Sequence, residues 1–500
     1  LMKIWQGDLE NDRFNSLSLR AGLNWNEIRI IRAYARYLKQ IRFSLSQSYI
    51  QDTFEKYPFL AKDIVSMFMA RFDPEKVSRN KFILTKRETN KKLKDLDGVD
   101  QERIVKAYVE LISATVRVNV FKNDQRSSCM AMKIESSKIS ILPLPKPLYE
   151  IFVFSDKVEG IHLRAGKVSR GGIRWSDRTD DFRTEILGLM KAQNGKNSLI
   201  VPAGSKGGFI AKKININMSR EDVDKEVIDC YKQFISSLLD ITDNLVKNTI
   251  IKPDKVICYD DDDPYLVVAA DRGTASFSDT ANQLSADYGF WLMDAFASGG
   301  SAGYDHKKMG ITAKGAWQSV EWHFKSINQS MNKTFSVIGI GGMAGDVFGN
   351  GMLLSTKVKL IAAFDHSFIF IDPSPSLEKS FNERKRLFNI KNVNWSDYDT
   401  SIISSGGGVS SSKDKYIEIS AEAKKSLNLN KNKFSPNELI HHLLSVKVDL
   451  LWNAGIGTYV KSSKENNMQV GDHANDSLRV NGASLNCKIV AEGGNLGLTQ

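Results

Sequence analysis

The 500-residue chain has little of what builds stapled or metal-held folds. Its four cysteines, Cys129, Cys230, Cys258 and Cys487, lie far apart and form no CxxC pair, so neither a disulfide framework nor a zinc site is expected. The seven histidines include no HExxH, and the adjacent His441 and His442 suit a helix surface better than metal ligation. No bound metal is expected. No apolar window reaches the roughly 18 residues that a membrane-spanning helix needs. The opening LMKIWQGDLENDR lacks the apolar stretch of a signal peptide. The cytoplasm is therefore the expected compartment, with no membrane partner. Blocks of basic residues interleaved with aromatics are also missing, which argues against nucleic acid. A net charge of +11 remains. It fits either lysine-rich solvated faces or anionic ligands such as dinucleotides and dicarboxylates.

What is present is ordinary globular material, 42% hydrophobic and 25% charged. At roughly 150 residues per domain, the length suggests several domains. Proline is scarce, at 11 residues, but three prolines alternate in LPLPKP at residues 142–147, the clearest boundary in the chain. Before it, residues 1–141 read as a helical segment. Ile28, Ile31, Ala35, Leu38 and Phe43, then Phe54, Phe59, Ile64 and Met67, recur at helical spacing up to Asp73-Pro74. Residues 142–330 are expected to form a second domain and residues 331–500 a third. Strand-like runs lie at residues 149–154, 160–164 and 255–259, and SSGGGVSSS at residues 404–412 reads as a flexible loop.

Two stretches carry chemistry. The first, residues 167–209, is rich in lysine, arginine and glycine and ends in VPAGSKGGF. Lys206 is expected on a glycine-rich turn straight after a buried strand. Glycine lets a ligand approach the backbone closely, and a partly desolvated lysine among other cations gives up its proton more readily. The bland alternative is a surface lysine on a tight turn. A Walker lysine is excluded, because Gly207 follows where Ser or Thr is required. Further on, the apolar run 266–270 ends in Asp271, placing a carboxylate at a strand's carboxyl end, where α/β sheets bind ligands. Just before it, the acidic run 260–263 reads as a strand-to-helix turn with capping carboxylates, or less readily as a metal site.

The second stretch is FSVIGIGGMAG, residues 335–345, an apolar strand running into a GxGxxA turn and then a helix pattern. A second strand, residues 360–364, ends in Asp365, at the offset expected of a carboxylate that accepts from a ribose 2′-hydroxyl. Gly339, Gly341, Gly342, Met343 and Ala344 are thus candidate dinucleotide contacts. Asp365 favours NAD over NADP, with Asp372 as the rival acid. Two more strand-then-glycine runs, around residues 446–457 and 488–495, are expected in the same parallel sheet. The chain stops at Gln500 directly after such a turn, and so reads as truncated there.

RGGIRW, LIVPAGSKGGF, PYLVVAADRGTASFSDTAN, GYDHKKMGITAKGAW, VIGIGGMAGDVFGNGML, AAFDHSFIFIDPSPS, VDLLWNAGIGTYVKSS and AEGGNLGLTQ together resemble the large, NAD-specific bacterial glutamate dehydrogenases, densely from about residue 140 to 500. The resemblance implies an α/β fold: a substrate domain with a mixed sheet and a Rossmann-like dinucleotide-binding domain, preceded by a helical segment. It implies oxidative deamination of L-glutamate to 2-oxoglutarate and ammonia with NAD, in a homo-oligomer. It makes Lys206 and Asp271 the catalytic pair. Lys196 and Gln193 match substrate-binding positions. Arg170 stands where smaller relatives carry a lysine for the γ-carboxylate, and an arginine could hold that group bidentately. Thr312 and Asn495 match cofactor-contacting positions. Gly195 departs from the pattern beside Lys196. The competing readings are an inactive or split-enzyme NAD-binding fragment and a dehydrogenase of another amino acid.

Overall fold

Capping and apolar spacing explain the helical start. Helix α1 (Trp25–Gln40) begins at Asn24, whose Oδ1 accepts the backbone N–H groups of Asn26 and Glu27, while Glu27 Oε2 accepts that of Asn24 at 2.8 Å. This reciprocal cap satisfies donors that the first helical turn leaves free. Helices α2 (Gln47–Lys56), α3 (Pro58–Phe72), α4 (Arg79–Lys92) and α5 (Val99–Ala114) follow. Proline at the first position suits α3, and Asp73-Pro74 ends it. These are features of a computed structural model, which describes residues 10–122, 129–196, 203–215, 217–271, 274, 276–301, 306–390, 393–455, 457–470, 472–494 and 497–499.

Strands β1 (Thr115–Val118), β2 (Met130–Glu135), β3 (Tyr149–Phe154) and β4 (Val158–Arg164) form an antiparallel succession. Strand β5 (Arg170–Trp175), helix α6 (Phe182–Lys196), strand β6 (Ser205–Ala211), helix α7 (Arg220–Leu239) and strand β7 (Val267–Ala270) follow. After helix α8 (Ser278–Asp287) comes the short β8 (Ala297–Ser298). Among the described residues these strands order as β1-β2-β3-β4-β6-β5-β7-β8, with β6, β5, β7 and β8 mutually parallel. The sheet is mixed, as expected.

The chain divides into two compact units, residues 1–303 and 304–500. This differs from the expected borders at 141/142 and 330/331. The helical segment is no separate body, since β1 and β2 lie inside it and join the mixed sheet. Buried Glu150 on β3 also ties the layers together. It accepts Tyr37 Oη of α1 at 2.9 Å and is forked by Arg183 of α6 at 2.5 and 2.8 Å. The later border moves to 303/304 because helix α9 (Ile311–Ser326) turns Trp317, Val320 and Phe324 into the core of the second unit. Trp317 meets Trp452 and Phe335 there at ring separations of 5.6 and 5.9 Å.

The second unit holds β9 (Phe335–Ile340), α10 (Asp346–Leu353), β10 (Val358–Phe364), β11 (Phe368–Ile371), α11 (Leu377–Phe388), β12 (Gly408–Ser411), α12 (Pro436–Leu444), β13 (Leu450–Asn453) and β14 (Ile489–Glu492). Its sheet runs β12-β11-β10-β9-β13-β14. Strands β10, β9, β13 and β14 are parallel, whereas β11 and β12 add an antiparallel edge. The chain leaves β9 to one side and returns to its other side at β13. That reversal makes a switch point at the carboxyl end of β9, where doubly wound sheets bind ligands.

Three local expectations change. SSGGGVSSS is not a free loop, because residues 408–411 pair with β11 as an edge strand. Residues 255–259 form no strand; Lys255 has φ +54°, which breaks extension at once. The acidic run 260–263 caps no helix; two of its members, Asp260 and Asp263, pair with buried cations, as described below.

Among the described residues, no helix is long and apolar enough to cross a membrane. His162 of β4 is fully buried, and neither ring nitrogen has a hydrogen-bond partner. Burial first, then the nearby Arg164, pushes its pKa from 6.5 down to about 3. Below pH 6.5 the unfolded chain therefore takes up a proton that the folded chain refuses, so stability falls as pH drops from 6.5 toward 3. Denaturant midpoints measured at pH 7 and pH 4 should diverge less in His162→Leu than in the parent chain. An equal divergence would remove His162 as a source of acid sensitivity.

Candidate active site

Strand β5 reads RGGIRW, and its alternation decides what faces the site. Ile173 pairs with Gly207 of β6 and with Ala270 of β7, so Gly172 and Arg174 share one face with Lys206 and, just past β7, Asp271. Lys206 Nζ lies 3.2 Å from Asp271 Oδ2, with side-chain exposures of 15% and 12%: sheltered, yet reachable. A Cβ added to Gly172 would sit 3.0 Å from Asp271 Oδ2 and 3.2 Å from Lys206 Nζ. The glycine thus leaves open the space directly against the pair.

The sequence expectation needs one correction. Lys206 is not on a turn but is the second residue of β6, so its backbone is fixed by both neighbouring strands. The apolar run that precedes it lies largely outside the described residues. Asp271 is held from behind. Its N–H donates to Thr274 Oγ1 at 3.1 Å, and that hydroxyl donates to the Ile173 carbonyl at 2.6 Å. Arg174, which sequence reasoning missed, donates to Asp271 Oδ1 at 3.0 Å and to Glu185 Oε1 at 2.7 Å. Burial works against its charge, but Asp271 and Glu185 outweigh that and raise its pKa. The signal was present in the period of two that links Gly172 to Arg174.

The remaining substrate-binding candidates are placed unequally. Gln193 donates from Nε2 to the backbone carbonyl of Arg170 at 2.9 Å, so these two are neighbours. Arg170 opens β5 with its side chain exposed. Lys196 is the last residue of α6, and its side chain lies outside the described residues.

The segment that leads into β7, at whose far end Asp271 stands, is anchored by the acidic run. Arg117 of β1 is fully buried and uses every donor: Nε to Asp260 at 2.5 Å, Nη1 to Asp243 at 2.6 Å and the Ile241 carbonyl, Nη2 to Asp243 at 3.2 Å and the Asp261 carbonyl. Lys133 of β2 bridges Asp260 and Asp263 at 2.5 and 2.6 Å. Arg164 of β4 reaches Asp263 at 2.6 Å and the Tyr265 carbonyl at 2.9 Å, next to the start of β7. Three buried cations thus face three buried carboxylates, the pairing that buried charge requires. Burial alone would raise the pKa values of Asp243 and Asp263, but these cations hold both below the usual range.

In the second unit, glycines shape the β9 turn. Gly341 has φ +132°, a conformation that side chains resist, and Trp395 Nε1 pins its carbonyl at 3.0 Å. A Cβ on Gly339 would strike Phe348 of α10, so this glycine serves close strand–helix packing. Gly342 faces Asp365, whose Oδ2 lies 3.2 Å from where a Cβ would be, while Asp365 Oδ1 accepts the N–H groups of Ser367 and Phe368 at 2.8 and 2.9 Å. Asp372 bonds its N–H to Ile361, about 13 Å back along β10 at roughly 3.3 Å per residue, because β11 runs antiparallel. Only Asp365 of the two stands beside the turn. Met343 turns its side chain into the core and leaves only its backbone for a ligand. The Ala344 carbonyl accepts Lys307 Nζ at 2.9 Å, a cation at the turn that sequence reasoning also missed. Thr312 is exposed in the first turn of α9, and Asn495 lies outside the described residues.

One unit presents a sheltered lysine–aspartate pair on a mixed sheet, and the other a glycine turn at the switch point among the parallel strands of its sheet. Together they define a two-unit α/β protein with a Rossmann-like half. The chain belongs to the family of the bacterial NAD-glutamate dehydrogenase catalytic domain, whose model matches residues 88–500. A glutamate dehydrogenase helical motif matches residues 9–74, which hold α1 to α3. The chain is 52% identical to the NAD-specific glutamate dehydrogenase of Halomonas elongata over 503 residues, covering 100% of this chain and 31% of that protein. It is 52% identical to that of Pseudomonas aeruginosa, covering 99% and 31%, and 48% identical to that of Mycobacterium tuberculosis, covering 99% and 32%. The chain thus spans about a third of the length of these relatives.

Proposed function

We propose that this chain carries the chemistry of glutamate oxidation: L-glutamate, NAD⁺ and water give 2-oxoglutarate, ammonium, NADH and a proton. The observation that carries this reading is the sheltered Lys206–Asp271 pair beside Gly172, in a chain of this family. In it, Lys206 activates water and polarises the substrate carbon, and Asp271 receives and returns protons. Arg170, Gln193 and Lys196 hold the substrate carboxylates. Gly339, Gly341, Gly342, Met343 and Ala344 form the cofactor turn with Thr312 and Asn495, and Asp365 accepts from the ribose. The open face of Gly342 against Asp365 fits that group. NAD, when bound, accepts the hydride. A homo-oligomeric, cytoplasmic enzyme without nucleic-acid or membrane partners completes the proposal.

Glutamate-dependent NADH formation by the chain as it stands tests the reading. NAD binding without turnover would leave a cofactor-binding piece, and faster turnover of leucine or phenylalanine would change the substrate. In the same assay, Asp365→Ser should raise NADP use relative to NAD about tenfold or more, because a carboxylate near a 2′-phosphate repels it. An unchanged ratio would detach Asp365 from the ribose.

A further inference from the structure

We infer that Arg174 is the positioning residue that fixes Asp271 against Lys206, with Glu185 and Ser176 holding Arg174 in place. The inference rests on the functional reading of Lys206 and Asp271 given above. Its basis is a continuous chain of contacts across four elements. Ser176 Oγ donates to Glu185 Oε2 at 2.6 Å, Glu185 Oε1 accepts Arg174 Nη1 at 2.7 Å, Arg174 Nη2 donates to Asp271 Oδ1 at 3.0 Å, and Asp271 Oδ2 faces Lys206 Nζ at 3.2 Å. Charges alternate along it: Glu185 on α6, Arg174 on β5, Asp271 after β7, Lys206 on β6.

The way Arg174 spends its donors sets it apart from a packing arginine. A guanidinium favours the two-pronged grip of one carboxylate. Arg174 instead splits its terminal nitrogens between two carboxylates on different elements, and its Nε is buried without a hydrogen-bond partner. Leaving a buried donor unmet is costly, and here it accompanies an end-on reach to Asp271. The side chain is only 6% exposed, so solvent does little to relax the geometry. With Oδ1 taken by Arg174 and Oδ2 facing Lys206, the Asp271 carboxylate is held from both sides. Among the described residues, the charged groups facing it are Arg174 and Lys206, with Glu185 behind the former. Without Arg174, Lys206 alone among the described cations would face Asp271, and Glu185 would lose the cation it pairs with. Asp271 would then protonate at higher pH and rotate more freely.

The test compares the parent chain with Arg174→Gln and Arg174→Lys. Arg174→Gln should lower kcat by about 10²-fold, the low end of what positioned proton transfer supplies, while NAD affinity holds. The acid limb of its kcat–pH profile should move to higher pH by about one unit or more, the effect of losing a cation within a few ångströms. Arg174→Lys should recover part of both. Carbon-13 NMR of aspartate carboxyls, with the Asp271 signal assigned by its loss in Asp271→Asn, should show the same rise in its titration midpoint. Melting curves report whether each variant is folded; where Arg174→Gln does not fold, Arg174→Lys carries the test through its pH limb and carboxyl titration. An unmoved acid limb and unmoved carboxyl titration in a folded variant would overturn the inference. A parent chain that never forms NADH from glutamate would instead defeat the functional reading, and the carboxyl titration would still decide the part assigned to Arg174.

Discussion

Lys206→Ala is expected to lower glutamate-dependent turnover by about 10³-fold or more, within the range that positioned proton transfer contributes. NAD affinity should not change. The lysine sits in the first unit, on a strand fixed on both sides, whereas the glycine turn at Gly341 belongs to the second. The substitution removes an ammonium and leaves the backbone of β6 intact, so the melting temperature should move little compared with activity. Turnover by the alanine variant near the parent rate would sink the assignment of Lys206. Lost turnover together with lost NAD affinity would point to general damage instead.

The second large effect is one of stability. Arg117→Met keeps volume and apolar packing but removes the cation from Asp243 and Asp260. Breaking a buried ion pair by deleting one partner typically costs about 3–5 kcal/mol, because the remaining charge stays buried and uncompensated. Urea unfolding should show a loss of about that size. The effect should exceed by far that of breaking an exposed pair such as Lys56–Asp97. Activity should fall with it, since the same carboxylates tie down the chain leading to β7 and Asp271. A variant as stable as the parent would mean that water or rearranged lysines satisfy the acids, and that the network does not anchor the chain leading to β7.

Glycine punctuation, alternation and strand-end acids are enough to read the class of fold, the Lys206 and Asp271 candidates and the strand–glycine turn–helix at residues 335–353 from the chain alone. These are local properties. GxGxxA needs only its flanking strand and helix to be recognised, and a carboxylate after an apolar run declares its own position. The meaning of the acidic run at residues 260–263 lies in Arg117, Lys133 and Arg164, the first two over a hundred residues away along the chain. Likewise SSGGGVSSS looks like a loop by composition, yet β11 offers it an edge to pair with. The period of two puts Arg174 on the face of Gly172, but only the placing of Glu185 on α6 and of Asp271 after β7 shows where its two terminal nitrogens go.

The choice between Asp365 and Asp372 shows the division most clearly. Both acids follow apolar runs; the offset from the glycine turn favours Asp365, with Asp372 as its rival. The antiparallel direction of β11 separates them in space, because it carries Asp372 back along the sheet while Asp365 stays at the carboxyl edge beside Gly342. Composition, periodicity and motif spacing determined which residues could act. Which of them meet was decided by strand direction, register and the pairing of buried charge, since these bring together groups whose separation along the chain carries no trace of their contact.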